Sequence, residues 1–332
     1  MGGIRKFKHR KPKTDRDQFP KGGYKDIVRE NAYFEAFYKD QPGMCPPEEY
    51  DQMIASFKTD LPASFRVTGF RSQAFAVRDL IEGTYFTALT ALQKPSENGE
   101  AKVILDPPKA LPWIPDRLGW QLSLTRKDIR REEALYRLHN FLISETESGN
   151  ISRQEAVSMI PPIVLDVKPQ HKVLDLCAAP GSKTAQLIEA IHAVEDVVPE
   201  GLVIANDSDN SRCYMLVHQA KRLQSPCVII TNHDASIMPN IQVTNPDNPS
   251  EMRNLKFDRV LCDVPCSGDG TLRKNADIWP VSISQTQLCR LSAVLRTFQF
   301  LVISYAVKLQ PPLTCNYCKE SSFLTFVRRL DN

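Results

Sequence analysis

The sequence lacks the long apolar run that a membrane-spanning helix requires. Such a helix needs roughly 20 consecutive apolar residues, and the longest apolar stretch, Phe298–Val307, covers about half of that length. The N-terminus is basic and polar, so it also lacks the apolar segment of a secretory signal. We therefore expect no attachment to a membrane.

The cysteines lack the regular spacing of a disulfide framework. There are nine, scattered along the chain, whereas disulfide frameworks are typical of short secreted chains with ordered spacing. We expect reduced thiols in a reducing compartment. Cys315 and Cys318 have the spacing of half a zinc site, but no second pair of cysteines or histidines lies near them in the sequence. We therefore predict no metal.

Positive charge is concentrated at the N-terminus. Residues 1–21 hold eight lysines or arginines against two aspartates, while the whole chain has a net charge of only +3. A basic cluster of this kind serves as a nuclear import signal or as an arm that binds phosphates, and a solvated terminus without either role is the alternative. We predict that residues 1–21 form a disordered basic tail and that the protein acts in the nucleus or its nucleolus.

Short helices and strands are predicted before residue 168. Apolar spacing favours helices at residues 26–39, 50–57, 74–81 and 132–143, a strand at 61–67 and an irregular proline-rich connection at 107–115. Ser152 and Glu155 match a capping box, in which two side chains satisfy the free amides at the start of a helix. This pattern predicts a helix that begins there and is stopped by Pro161 and Pro162.

A regular alternation of apolar runs and helical segments follows Lys168. The apolar runs are Val173–Leu176, Leu202–Ala205, Val228–Thr231 and Val260–Cys262, and the helical segments are Thr184–Ile191 and Arg212–Leu223. Strands that alternate with helices are typical of a parallel sheet with crossover helices. The sequence therefore predicts an α/β fold in this part of the chain.

Polar residues follow each of these runs, at the edge of the sheet where open α/β folds bind ligands. The first run leads into residues 177–183, whose small side chains allow a ligand to approach the backbone. This loop has neither of the glycine patterns that bind dinucleotides or nucleoside triphosphates, which disfavours NAD and ATP. Asp207, Asp234 and Asp263 follow the other runs. Each alone is more often a cap or turn residue, but the series suits a cofactor that contains adenosine and a sulfonium.

Two segments carry a resemblance to a known family. Residues 175–184 (DLCAAPGSKT) and 263–270 (DVPCSGDG) resemble the cofactor loop and the Pro-Cys motif of Sun-domain RNA cytosine-5 methyltransferases. Residues 144–162 are similar to the eukaryotic tRNA-modifying branch, and the likeness extends from about Gly22 to Trp279.

This resemblance implies a fold, a cofactor and a substrate. It implies a Rossmann-like methyltransferase sheet over residues 144–279 and an N-terminal α+β RNA-binding region over residues 22–143. It also implies a tRNA substrate and S-adenosylmethionine as cofactor. The implied cofactor-binding residues are Cys177, Ala178, Ala179, Pro180, Gly181, Ser182, Lys183, Asp207, Asp234 and Asp263, with Asp263 also facing the target base.

The resemblance also assigns catalytic roles to cysteines. C5 of cytosine becomes nucleophilic only after a thiolate has added to C6, so covalent catalysis is required. In the family a cysteine of a Thr-Cys motif attacks C6, and the Pro-Cys cysteine, here Cys266, assists release of the product. Thr314 and Cys315 lie near the expected spacing, but Pro311 and Pro312 precede them and would interrupt a central strand.

Residues 280–332 depart from the family pattern, so we expect a divergent tail and an incomplete sheet. One hypothesis is an active, monomeric tRNA cytosine-5 methyltransferase. The second is a catalytically inactive truncation product that binds cofactor and tRNA but lacks the Thr-Cys nucleophile. A DNA cytosine-5 methyltransferase is the third, which the cofactor loop disfavours.

Contacts to RNA are predicted outside the sheet, because the target base must leave its stack to reach the site. Besides the basic tail, the candidate phosphate contacts are Arg66, Arg71, Arg126, Lys127, Arg130 and Arg131. Trp113 and Trp120 are candidates either for stacking on bases or for the core.

Overall fold

The computed structural model describes residues 28–40, 45–90, 93–95, 102–104, 106–131, 135–194, 198–264, 268–279 and 325–328. The helices in these ranges are α1 Ala32–Asp40, α2 Tyr50–Lys58, α3 Ala74–Leu80, α4 Thr87–Thr90, α5 Arg126–Arg131, α6 Tyr136–Glu147, α7 Ile160–Val164, α8 Ser182–Ile191 and α9 Asn210–Leu223. A π-helical turn, Ile81–Phe86, joins α3 to α4. The strands are β1 Pro62–Val67, β2 Gln93–Pro95, β3 Lys102–Ile104, β4 Lys109–Ala110, β5 Gly119–Thr125, β6 Ile151–Ser152, β7 Lys172–Asp175, β8 Leu202–Asn206, β9 Val228–Thr231, β10 Gln242–Asn245, β11 Asn248–Asn254, β12 Arg259–Cys262 and β13 Thr325–Arg328.

The larger sheet has five strands in the order β13-β12-β7-β8-β9. β12, β7, β8 and β9 are parallel, and β13 pairs with β12 in the antiparallel direction. α8 connects β7 to β8 and α9 connects β8 to β9. The parallel strands lie within one residue of the four apolar runs of the sequence, so the predicted Rossmann-like α/β fold is confirmed.

Both faces of this sheet are covered, which explains why the central residues of its parallel strands are apolar. On one face Val173, Val203 and Leu261 pack against α8 and α9. On the other face Leu174, Ile204 and other side chains pack against Met238 and Phe257. Val173, Leu174, Val203 and Leu261 are almost completely buried, and full burial of each such side chain stabilises the fold by about 1.5–3 kcal/mol.

The N-terminal part of the chain forms a separate antiparallel sheet with the order β4-β5-β1-β6. α3, α4 and α6 cover it and contribute to a core that includes Phe65, Ile81 and Leu138. Trp120 lies in this core, with its ring centroid 4.8 Å from that of Phe86, and only 5% of it is exposed. Trp120 is therefore a core residue, whereas Trp113 is exposed.

The predicted capping box is wrong. Ser152 lies in β6, where it pairs with Arg66 of β1, and Glu155 forms an ion pair with Lys274. The helical segment begins later, as a 3-10 turn at Val157–Met159 that continues into α7. Pro161 and Pro162 lie in the first turn of α7 rather than stopping it, because that turn needs no amide donors from them.

α6 also differs from its prediction. It begins at Tyr136 and continues to Glu147, whereas the sequence predicted a helix over residues 132–143. Thr146 is buried and its hydroxyl donates to the carbonyl oxygen of Leu142 at 2.5 Å, so this polar residue faces the core. The helix is followed by Gly149 with φ +79°, a conformation that favours glycine.

Among the described helices, none has the length and hydropathy that crossing a bilayer requires. The longest of them, α9, has 14 residues.

Candidate active site

A cleft of about 640 Å³ opens at the carboxyl ends of β7 and β12. Its volume lies in the range of about 300–1,000 Å³ that is usual for small-molecule sites. Its walls come from the loop after β7, from Asp263 after β12, from residues 153–161 and from residues 270–274. The cleft thus lies where parallel sheets bind their ligands.

The loop between β7 and α8 is held in place by the neighbouring strand. The amide of Ala178 donates to the carbonyl oxygen of Asn206 at 2.7 Å, and the amide of Ala179 donates to Oδ2 of Asp207 at 3.1 Å. Gly181 precedes α8 with φ +108°, and a Cβ atom there would lie 2.9 Å from Cδ1 of Leu216. Only glycine fits this position without strain.

Asp207 fixes the position of the loop through hydrogen bonds to its backbone. Its Oδ1 accepts from the amide of Asp209 at 3.0 Å, its Oδ2 accepts from Ala179, and Nη1 of Arg212 lies 3.7 Å from Oδ2. Only 2% of the Asp207 side chain is exposed, and the described lining of the cleft does not include it. The direct contact of Asp207 with a cofactor stays a prediction.

Lys183 and Asp263 form an ion pair in the wall of the cleft, with Nζ 2.6 Å from Oδ2. Lys183 comes from the first turn of α8 and Asp263 follows β12. Both side chains are partly exposed, and both line the cleft together with Cys177, Ala178, Ala179, Pro180 and Ser182. These predicted cofactor-binding residues are therefore brought together.

Asp175 is a buried carboxyl group that also lines the cleft. Its Oδ2 accepts from the hydroxyl of Thr184 at 2.8 Å, and its Oδ1 has no hydrogen-bond partner among the described residues. Burial, together with the nearby charge of Asp263, raises its pKa to about 7. The sequence prediction placed Asp175 and Thr184 in the segment that resembles the cofactor loop but did not name them as cofactor-binding residues. A carboxylate at the end of a buried strand, followed by threonine in the next helix, was the available signal.

Two cysteines close to the cleft are poor nucleophiles. Burial, with the charges of Asp175, Asp207 and Asp263, raises the pKa of the Cys177 thiol to about 12. Burial also raises the pKa of the Cys262 thiol. Because the thiolate is the nucleophilic form, neither residue suits attack on a base at neutral pH. Cys266 and Cys315 lie outside the described residues.

Asp234 has a different environment from the other predicted cofactor ligands. Its Oδ1 accepts from the amide and the hydroxyl of Ser236, at 2.9 and 2.7 Å, so it caps the 3-10 turn Ala235–Ile237. These hydrogen bonds lower the pKa of its exposed carboxyl group. Asp234 does not line the cleft among the described residues, and its contact with a cofactor stays a prediction.

Asn206 is a further residue that the sequence prediction missed. It is completely buried, and its amide nitrogen donates to the carbonyl oxygens of Leu176 and His233. Its Oδ1 accepts from the hydroxyl of Thr231 and the amide of His233. Asn206 thereby joins the ends of β7, β8 and β9, the region from which Asp207 and Asp234 project.

The structure divides the candidate phosphate contacts into buried and exposed residues. Arg66 is buried and paired with Glu189, so its prediction as a phosphate contact was wrong. Arg71 donates to the carbonyl oxygen of Arg222 at 2.9 Å. Arg126 and Lys127 are exposed, whereas residues 1–21 and the side chains of Arg130 and Arg131 lie outside the described part of the structure.

No group of three or more potential metal ligands occurs among the described residues.

Comparison with known proteins identifies related sequences. Residues 162–296 match the family model described as 16S rRNA methyltransferase RsmB/F, so the likeness continues past Trp279, where the sequence predicted its end. The chain is 58% identical over 274 residues to the tRNA (cytosine(34)-C(5))-methyltransferase of Drosophila melanogaster, covering 80% of this chain and 35% of the relative. It is 48% identical over 257 residues to the multisite-specific tRNA:(cytosine-C(5))-methyltransferase of Saccharomyces cerevisiae, covering 77% of this chain and 36% of the relative. The chain thus spans about a third of the length of these curated relatives.

Solved structures share the fold. A methyltransferase homolog from Pyrococcus horikoshii superimposes with a TM-score of 0.54 at 21% identity, covering 81% of this chain and 69% of that one. NSun6 from Pyrococcus horikoshii gives a TM-score of 0.52 at 17% identity, covering 83% and 80%. The solved structures thus share the fold of this chain, and its sequence is similar to a Sun-domain methyltransferase family model and to eukaryotic tRNA cytosine-C5 methyltransferases.

Proposed function

We propose that this chain binds S-adenosylmethionine in the cleft and transfers a methyl group to C5 of cytosine in tRNA. The observation that carries the proposal is the Lys183–Asp263 ion pair in the wall of the cleft. Asp263 is the first residue of the segment that resembles the Pro-Cys motif. Relatives from fly and yeast are named as tRNA cytosine-C5 methyltransferases, which supports tRNA as the substrate.

The residues around the cleft fit the proposed cofactor. S-adenosylmethionine carries a sulfonium and an ammonium group, and when bound it would supply an electrophilic methyl group. Asp175 and Asp263 line the cleft, and Oδ1 of Asp175 is a buried acceptor without a partner among the described residues. The small residues Ala178 and Ala179 allow close approach to the loop backbone, and the cleft volume of about 640 Å³ is sufficient.

The protein would contribute thiols and a positioned carboxylate to the reaction. A thiolate adds to C6 of the pyrimidine, which loads electron density onto C5 so that C5 accepts the methyl group. Removal of the C5 proton then lets the bond between C6 and sulfur break. Because residues 263–270 resemble the family's Pro-Cys motif, we assign assistance of the release step to Cys266. Lys183 would hold Asp263 in position to face the target base.

Labelling of tRNA tests this proposal. The full chain is incubated with tRNA and S-adenosylmethionine that carries a radioactive methyl group, and Cys266→Ala, Cys315→Ala and the control Cys45→Ala are compared. We expect label at C5 of cytosine in the unaltered protein and in Cys45→Ala, and a covalent protein–RNA adduct in Cys266→Ala. Loss of label in Cys315→Ala would identify the attacking thiol. Label at another atom, or in DNA alone, would contradict the proposal.

A second candidate function is binding without catalysis. It is favoured by Pro311 and Pro312, which precede Thr314 and Cys315 where the family has a strand. In that case the protein would bind S-adenosylmethionine and tRNA in equilibrium measurements and would transfer no label.

We also propose nuclear localisation directed by residues 1–21, because this segment holds eight basic residues. Fused to a fluorescent protein, the segment should direct it to the nucleus, and replacing its lysines and arginines by glutamine should abolish the effect. A cytosolic signal from the unaltered segment would contradict this assignment.

A further inference from the structure

A small basic recess of about 100 Å³ lies beside the cleft, between the N-terminal elements and the segment after the Pro-Cys motif. Its cationic lining residues are Arg29, Arg126, Lys127, Arg273 and Lys274. Among the described residues that line it, Asp60 is the one carboxylate. The recess therefore has a strong excess of positive charge.

Asp60 neutralises only part of this charge. It pairs with Arg29, and its Oδ2 lies 3.6 Å from Nζ of Lys127. Burial alone would raise the pKa of Asp60, but the hydrogen bond and charge of Arg29 outweigh it and lower that pKa, so Asp60 stays ionised at neutral pH. Nη2 of Arg273 donates to the backbone oxygen of Asp60 at 3.2 Å, which leaves the charge of Arg273 without a carboxylate partner in the described ranges.

Arg126 and Lys127 present their charges to solvent. Arg126 is exposed and pairs with no carboxylate among the described residues, and 61% of the Lys127 side chain is exposed. An exposed arginine without a carboxylate partner among the described residues is available to an anionic ligand.

The basic recess is continuous with the cleft. Arg126 and Lys274 line both, and Nζ of Lys274 lies 2.7 Å from Oε1 of Glu155, which also lines the cleft. A ligand in the recess would therefore be a direct neighbour of a ligand in the cleft.

We propose that the basic recess binds a backbone phosphate of the RNA next to the cytidine that enters the cleft. This inference rests on the proposed function. Extruding a base costs a few kcal/mol, and phosphate contacts fix the position of the backbone without reading its sequence. Two dibasic pairs, residues 126–127 and 273–274, face the same recess from distant parts of the chain, so both sides of one phosphate can be contacted.

Equilibrium binding to an RNA hairpin at several salt concentrations tests the recess without catalysis. In Arg126→Gln and Lys127→Gln we expect a dissociation constant roughly 3–10 times higher at 0.1 M salt, and a slope of log affinity against log salt reduced by about one. Affinity for S-adenosylmethionine should not change in Lys127→Gln, because Lys127 lines the recess and is not among the described lining residues of the cleft. The control is Lys221→Gln, an exposed lysine on α9 outside the recess, which should leave the RNA affinity as it is.

Single methylphosphonate substitutions along the hairpin locate the phosphate. If the recess holds one phosphate, neutralising that phosphate and removing Arg126 have non-additive effects on RNA affinity, because either change removes the same contact. Additive effects at every phosphate, or unchanged affinity and salt slope in both variants, would overturn the inference. Neither binding measurement needs methyl transfer. A failed labelling experiment would therefore contradict the proposed function without changing the outcome of the two RNA-binding measurements.

Discussion

At the scale of single residues, the charge state of Asp175 depends on the fold. In an unfolded chain its carboxyl group would have a pKa near 4, whereas burial in the folded protein raises the pKa to about 7. Between pH 4 and 7 the folded protein therefore holds a proton that the unfolded chain releases. The stability contributed by this proton is complete below pH 4 and is lost as the pH rises through 7.

Asp175→Asn should make stability less dependent on pH. Asparagine keeps an acceptor for the hydroxyl of Thr184 and carries no charge to bury, so the free energy of unfolding at pH 8 should rise relative to the unaltered protein by at most about 4 kcal/mol. At pH 4 the two proteins should be similar. Urea unfolding at both pH values measures this, with the exposed Asp277→Asn as control. Parallel pH profiles for Asp175→Asn and the unaltered protein would contradict the raised pKa.

The variant Gly181→Ala tests how closely the loop after β7 is packed. In Gly181→Ala the backbone conformation with φ +108° and the contact with Leu216 should lower the free energy of unfolding by about 1–3 kcal/mol and weaken binding of S-adenosylmethionine. Gly83→Ala is the matched control, since its Cβ would meet no atom within 4 Å. Urea unfolding and calorimetric titration measure both effects. Equal stability of the two variants would show that the loop tolerates a side chain.

At the scale of secondary-structure elements, a buried polar network connects β1 to α8. Nη1 of Arg66 lies 2.5 Å from Oε2 of Glu189, and its Nε donates to Oε1 of Gln154 at 3.1 Å. The Gln154 amide nitrogen in turn donates to Oε1 of Gln186 at 2.7 Å. The network holds the N-terminal sheet against the helix that follows the cofactor loop.

Replacing one member of the Arg66–Glu189 ion pair should lower the free energy of unfolding more than replacing both members together. Arg66→Met or Glu189→Leu alone leaves a buried charge without its partner and should destabilise the protein by about 3 kcal/mol, whereas the double variant should lose less than the sum. A double-mutant cycle in urea measures the coupling. The more exposed pair Lys58–Glu35 is the control and should give less than about 1 kcal/mol. Equal coupling in both pairs would contradict the role of burial.

At the scale of the whole molecule, the N-terminal helices pack against the segment after the Pro-Cys motif. Phe34 of α1 and Ile54 of α2 form one apolar cluster with Leu272 and Trp279. The amide nitrogen of Asn31 also donates to the carbonyl oxygen of Trp279 at 2.8 Å. The walls of the cleft and the basic recess therefore come from both parts of the chain.

Binding of S-adenosylmethionine should stabilise the assembled molecule. At a concentration 100 times the dissociation constant the free energy of unfolding rises by about 2.7 kcal/mol, which corresponds to an increase in Tm of about 4 °C for a chain of 332 residues. Differential scanning fluorimetry measures the shift. It should be reduced in Lys183→Ala and retained in Lys221→Ala. No shift at a saturating concentration would contradict the assignment of the cleft.

The sequence by itself determined the positions of the four parallel strands along the chain and of the loop that follows the first of them. These features depend on local patterns: continuous apolar residues where a strand is buried on both faces, and small or polar residues where a strand ends. Val228–Thr231 has the same bounds in the sequence prediction and in the structure. For this reason the part of the cleft wall formed by the loop after β7 and by Asp263 could be identified from the sequence.

Only the tertiary structure decided which polar groups are buried and what they contact. It placed Arg66 in a buried ion pair, Asp207 beneath the loop and two dibasic segments around one recess. It also determined the thiol pKa of Cys177. Burial and pairing depend on groups that are far apart in the chain, so periodicity and motif spacing carry no information about them.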